Sequence, residues 1–165
     1  MMSEIPQCAI DIIKQFEKLR LSAYPDPGHG WSVPTVGWGT TVFPDGSKVK
    51  KGDRITAERA EECLVYHLEH VCLPALERIP MWEVMNENRK GALFSFAYNM
   101  GDFYGRKNRE SITALCDLPL VWNDKERVRK VFGLYRKSNG IVMAGLIRRR
   151  EAEAELFCRP VEVEG

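Results

Sequence analysis

The sequence predicts a mainly helical α+β fold of two lobes: a small antiparallel sheet lobe, a long connecting helix and a helical C-terminal lobe. Three observations predict it. Residues 5–20 place Ile5, Ala9, Ile12, Ile13, Phe16 and Leu19 at helical spacing. Residues 21–52 then carry Gly28, Gly30, Gly37, Gly39 and Gly46 together with Pro25, Pro27, Pro34 and Pro44, which excludes a long helix and favours short strands joined by turns. From Thr56 onward helical periodicity returns and persists. A chain of 165 residues with 44% apolar content can bury one shared core. One domain over 1–165 is therefore expected, with the sheet lobe at about 21–55 and the helical lobe at about 80–165 plus the N-terminal helix 5–20.

Each element has its own signal. The first helix is amphipathic and tolerates Pro6 in its first turn. Residues 31–33 and 35–42 favour strand, and the run Pro44, Asp45, Gly46, Ser47 has tight-turn chemistry before residues 48–50. Thr56 is an N-cap, with Glu58 in the first turn, for a long helix to about Glu77 whose stripe is Leu64, Leu68, Val71, Ala75 and Leu76. Pro74 removes a donor from that helix and predicts a bend near His70. Further helices are capped by Asn86, Ser111 and Asp124. Their buried faces are Ala92, Leu93, Phe96 and Ala97; then Val128, Val131, Phe132 and Tyr135; then Leu146, Ala152, Leu156 and Phe157.

Charge is nearly balanced, 24 basic against 23 acidic residues, so no overall field attracts nucleic acid or an anionic membrane. Cys8, Cys63, Cys72, Cys116 and Cys158 are scattered without a C-x-x-C pair and read as reduced, mostly buried thiols, with neither metal nor cofactor implied. No stretch reaches the roughly 20 apolar residues of a membrane-spanning helix, and residues 1–20 lack a secretory pattern. A soluble, monomeric protein made in a cytoplasm is expected.

Two carboxylates stand out. Glu17 closes the first helix beside Phe16 and Leu19, where burial and the helix C-terminus both favour a protonated carboxyl, as a general acid requires. Asp26, between Pro25 and Pro27, sits in a loop where it stays ionised. Such a split pair beside a cleft suits glycosidic-bond hydrolysis; on spacing alone the same residues also read as a solvated helix-end Glu and a turn Asp. Thr35, Val36, Gly37, Trp38, Gly39 and Thr40 follow, with glycines for close backbone approach and hydroxyls that orient water. Trp31 and Trp38 either stack on sugar faces or pack within the sheet. Asn99 either binds an N-acetyl group or caps the turn before Gly101. Arg148, Arg149 and Arg150, interleaved with Glu151, Glu153 and Glu155, read as a helix face of paired charges.

The order Glu17, Asp26, a Gly-containing loop, then Thr35, Val36, Gly37, Trp38 and Gly39 resembles the catalytic signature of the phage lysozyme or endolysin family of glycoside hydrolases. Phe16, Arg20, Leu21, Ala23 and Tyr24 resemble its lead-in, and the blocks from Ala92 to Gly101 and from Gly145 to Glu153 extend the likeness over nearly the whole chain. The resemblance implies a lysozyme-like fold, with Glu17 as general acid, Asp26 as ionised partner and Thr35 positioning water. The implied reaction is hydrolysis of the β-1,4 bond between N-acetylmuramic acid and N-acetylglucosamine in peptidoglycan, causing host lysis. It further implies release to the wall through a separate membrane-permeabilising protein, a holin. The chain departs from the pattern in a longer segment between Asp26 and Thr35, and in Thr40 where many members have His; His29 in the longer loop is a candidate to replace that polarity.

Overall fold

The computed structural model describes residues 4–162. Helix α1, Gln7–Phe16, buries Ala9, Ile10, Ile12 and Ile13. It is shorter than residues 5–20 at both ends. Pro6 stands before it in an extended conformation as the N-cap, and Glu17 leaves the helix as extended backbone while its amide still donates to Ile13 O at 2.9 Å.

The chain enters strand β1, Arg20–Asp26, at once, and this strand pairs antiparallel with β2, Gly30–Gly37. Arg20 lies opposite Gly37, Tyr24 opposite Thr35, Pro25 opposite Pro34 and Asp26 opposite Gly30. Between the last two pairs β1 advances one residue and β2 four, so residues 31–33 bulge out of the ladder. The strand expected over 35–42 stops at Gly37, whose φ of +67° turns the chain so that Val36 bridges Thr40. Val42 bridges Lys48 around the predicted turn, and Gly46 donates to Phe43 O.

Helix α2, Ala57–His67, starts at Thr56, whose side chain accepts from the Arg59 amide at 3.1 Å. It runs through a π-helical turn, Leu68–Cys72, into the short α3, Leu73–Leu76, with Pro74 in its first turn. Pro74 offers no amide and its ring crowds the carbonyl four residues earlier, at His70, so the predicted bend takes the form of a wider helical turn. That turn rotates the inward face: Cys72 and Leu73 are buried while Val71, expected in the stripe, is 54% exposed.

Helix α4, Glu87–Met100, is capped by Asn86, which accepts from the Arg89 amide, and is buried without interruption from Gly91 to Ala97. It lies between α1 and helix α7, Ala144–Cys158. A Cβ at Gly91 would collide with Cys8 Sγ, so glycine is what lets α1 approach this closely. Helix α5, Glu110–Asp117, begins one residue before the expected cap Ser111; no side chain caps it, and Glu110 instead accepts from the Asn108 amide. Helix α6, Lys125–Gly133, is capped by Asp124 and packs on α7. A hairpin of β3, Lys137–Ser138, and β4, Ile141–Val142, joins them.

The core centres on Phe96, which meets Phe103, Phe132 and Tyr135 edge to face. The inner face of α7 differs from expectation. Ala154, Leu156 and Phe157 are buried, but Leu146 and Ala152 are only half-buried, and Arg149, Arg150 and Glu153 fill the remaining inward positions. All five cysteines are unpaired; Cys63, Cys72 and Cys116 are buried as expected. Among the described residues no helix is long and apolar enough to cross a membrane.

Candidate functional site

Because α1 ends at Phe16 and β1 starts at Arg20, Glu17 sits at the seam between the helical body and the sheet. Its side chain is 24% exposed. The apolar setting expected of Phe16 and Leu19 is only partly present, since Leu19 points to solvent. The principal neighbour is Arg149 of α7, whose Nη1 donates to Glu17 Oε1 at 2.9 Å while its own side chain is 4% exposed. The same guanidinium lies over the Phe16 ring. The other oxygen faces Gly39: a Cβ there would stand 3.2 Å from Glu17 Oε2.

Arg149 is held from behind. Its Nε donates to Ser95 Oγ and its Nη2 to Ser95 O, each at 3.3 Å, and Nε lies 3.5 Å from Glu153 Oε2. The reading of this stretch as a surface of paired charges is therefore corrected for Arg149, Arg150 and Glu153, which are interior; Arg148, Glu151 and Glu155 are exposed.

Asp26 ends β1. Its Oδ2 accepts from the Gly28 amide at 2.8 Å, the His29 amide at 2.8 Å and His29 Nδ1 at 3.0 Å. Partial burial alone would raise its pKa, but the His29 ring and the two amides outweigh that and hold the carboxyl below its ordinary value. Thr35 is buried, and its hydroxyl donates to Val33 O at 3.1 Å, which leaves oxygen lone pairs for a donor. Asp26 and Thr35 still line one cleft despite the longer loop, since Tyr24 pairs with Thr35 and residues 31–33 are shed into the bulge.

Two openings meet at Glu17. A cleft of about 330 Å³ is lined by Glu17, Asp26, Thr35, His67, Tyr98 and Asn99, among others. A wider one of about 920 Å³ runs along α7 and the β3–β4 hairpin past Lys137, Met143, Leu146 and Arg148. Glu17, Pro27 and Asn99 line both. Of the sequence candidates, Glu17, Asp26, Thr35 and Asn99 thus converge. Trp31 stands outside both openings, 43% exposed in the bulge with Lys51 over its ring. Trp38 packs against the core beneath Lys14, and its carbonyl accepts from the Tyr98 hydroxyl at 2.6 Å. His29 touches the site through Asp26 rather than lining it.

Among the lining residues that sequence reasoning did not offer as site residues are Arg149, Tyr98 and His67. Tyr98 is partly buried and its pKa is raised by desolvation, with the negative charge of Glu17 adding to it. His67 meets the Tyr98 ring edge-on at 5.3 Å, and burial lowers its pKa, favouring the neutral ring. Arg149 and Tyr98 do lie within the sequence blocks that carry the family resemblance, which was the available signal. Among the described residues no group of three His, Cys, Asp or Glu side chains is placed to hold a metal ion.

Fold and site together define a class: a mainly helical α+β protein with a carboxylate-lined cleft between a small sheet and a helical body. Residues 14–153 match the phage lysozyme family model. The endolysin of Salmonella phage P22 is 34% identical over 130 residues, covering 73% of this chain and 84% of that protein. The endolysin of Lactococcus phage c2 is 30% identical over 161 residues, 96% of this chain, and the chain spans 62% of that relative's length. Among solved structures, a mutant of P22 lysozyme superposes with a TM-score of 0.67 at 29% identity, covering 95% of this chain and 99% of that one. The chain belongs to the phage lysozyme family.

Proposed function

We propose that this protein is an endolysin muramidase that hydrolyses β-1,4 bonds between N-acetylmuramic acid and N-acetylglucosamine in bacterial peptidoglycan and so lyses the host cell. The observation that carries this reading is the position of Glu17: a part-exposed carboxyl at the junction of two openings, gripped on one oxygen by a buried arginine, with Asp26 and Thr35 lining the same cleft. Glu17 gives its proton to the leaving glycosidic oxygen as the bond to the anomeric carbon breaks. Asp26, kept ionised by His29 and the loop amides, faces the positive charge that develops on the sugar and takes the proton of the attacking water. Thr35 orients that water, because its own hydroxyl hydrogen is committed to Val33 O and it acts as the acceptor.

Asn99 serves as a substrate residue: its Oδ1 accepts from Arg150 Nη2 at 2.8 Å, which turns the Nδ2 hydrogens toward an N-acetyl carbonyl. The protein acts as a monomer and a single domain over 1–165. It accumulates in the host cytoplasm and reaches the wall in the periplasm once a holin has opened the membrane.

Replacing Glu17 by Gln keeps the shape and removes the acid, and clearing of bacterial walls is expected to fall by about 100-fold or more. Equal clearing by wild type and Glu17→Gln would refute the reading. Mass spectrometry of the products separates hydrolysis, which leaves a reducing muramic acid end, from transglycosylation, which leaves a 1,6-anhydro end.

A further inference from the structure

Behind the cleft lies a buried charge cluster that the reaction itself does not use. Glu153 on α7 is fully buried, as is Ser95 on α4, and both guanidiniums beside them are nearly so. Glu153 Oε2 accepts from Ser95 Oγ at 2.6 Å and from Arg150 Nη2 at 3.1 Å, and lies 3.5 Å from Arg149 Nε. Its Oε1 stands 2.7 Å from Arg150 Nε as an ion pair whose angle does not suit a hydrogen bond. Each arginine then reaches forward to a different cleft residue: Arg149 to Glu17 at the end of α1, Arg150 to Asn99 at the end of α4. One carboxylate therefore sits behind both.

Burying three charges is costly, and an apolar trio of similar volume would serve stability as well or better. A role in placing groups accounts for the expense. We propose that Glu153, seconded by Ser95, is a positioning residue: it fixes Arg149 and Arg150 so that Glu17 and Asn99, which come from different elements, are held in register at the junction of the two openings. The inference rests on the reading of Glu17 as the acid. Glu153 does not touch substrate; it acts through the two guanidiniums. A carboxylate at this depth has no other partners among the described residues than Ser95 and the two arginines.

The test is a kinetic cycle on solubilised, uncross-linked peptidoglycan strands, with the unfolding midpoint of every variant measured alongside. Glu153→Gln is expected to lower kcat about tenfold or more while KM stays within about twofold, since displacing a reacting group by an ångström costs on the order of 100-fold. Because the Arg149 branch holds the acid whereas the Arg150 branch bears on substrate through Asn99 and so on KM, adding Glu153→Gln to Arg149→Met lowers kcat no further than Arg149→Met alone. Ser95→Ala removes only a hydroxyl and carries the test should Glu153→Gln fail to fold. It is expected to lower kcat about threefold or more, again with no added effect on Arg149→Met. Multiplicative effects in the cycle, or kcat unchanged in Ser95→Ala, would overturn the proposal. Glu17→Gln run in parallel separates the two readings: if it retains activity the acid assignment is wrong, whereas loss of activity there with an additive cycle leaves the acid in place and removes Glu153 from its support.

Discussion

Asp26 Oδ2 accepts three hydrogen bonds inside its own loop, and the sign of its titration follows from them. A carboxyl whose folded pKa is depressed contributes stability that is present above its unfolded pKa and is lost as pH falls through the folded one. Activity that needs ionised Asp26 therefore persists below the ordinary carboxylate range. His29→Ala removes one of the depressing bonds, and the acid limb of the kcat/KM profile should move to higher pH; an unmoved limb would detach His29 from the site. Gly39 sets a second constraint. Its φ is +97° and a Cβ would press on Glu17 Oε2, so Gly39→Ala should cost more than about 1 kcal/mol in denaturant unfolding and lower activity as well. That Glu17, Asp26 and Thr35 line one cleft was legible through the resemblance of their order to the family's signature, since the spacing of two carboxylates alone describes many solvated pairs. Arg149 was not, because arginines alternating with glutamates at three- and four-residue spacing satisfy one another equally well on a solvated helix face. Only the packing of α7 on α4 decides which of them turn inward.

At the scale of elements, helix starts written as side-chain caps were readable: Thr56, Asn86 and Asp124 each accept the expected amide. Asn86→Ala should destabilise by about 1 kcal/mol. The start of α5 was misread because Ser111 lies inside the helix and no side chain caps it. Strand β1 was the larger omission, since Pro25 and the short apolar alternation of residues 20–26 give little β signal without their partner strand. Pro74 announced its bend, but not the π-helical form, which depends on how the neighbouring turns re-pair. The contact of α1 with α4 gives a further prediction. Gly91→Ala should destabilise by about 1–3 kcal/mol through collision with Cys8 Sγ, and a smaller side chain in Cys8→Ala should relieve much of that loss in the double variant. Full additivity in equilibrium unfolding would show that the clash is not the cause.

Over the whole molecule, the mainly helical α+β arrangement was legible because glycine and proline crowd into one segment while helical periodicity fills the rest. The three-dimensional meeting of distant segments was not. Phe96 gathers Phe103, Phe132 and Tyr135 from two later stretches, and Phe96→Ala is expected to cost about 3–5 kcal/mol in thermal or denaturant unfolding. Among the described residues, the side-chain bond of longest reach joins Glu17 and Arg149 across 132 positions. During translation, at about 5–20 residues per second, a growing chain exposes its acidic side chain many seconds before the guanidinium that grips it has been made. A ribosome-bound fragment that stops short of α7 therefore carries Glu17 without Arg149 or Glu153, and the bond that grips the acid can form only once α7 has been made. Chain order alone thus defers this bracing of the acid until α7 has been made.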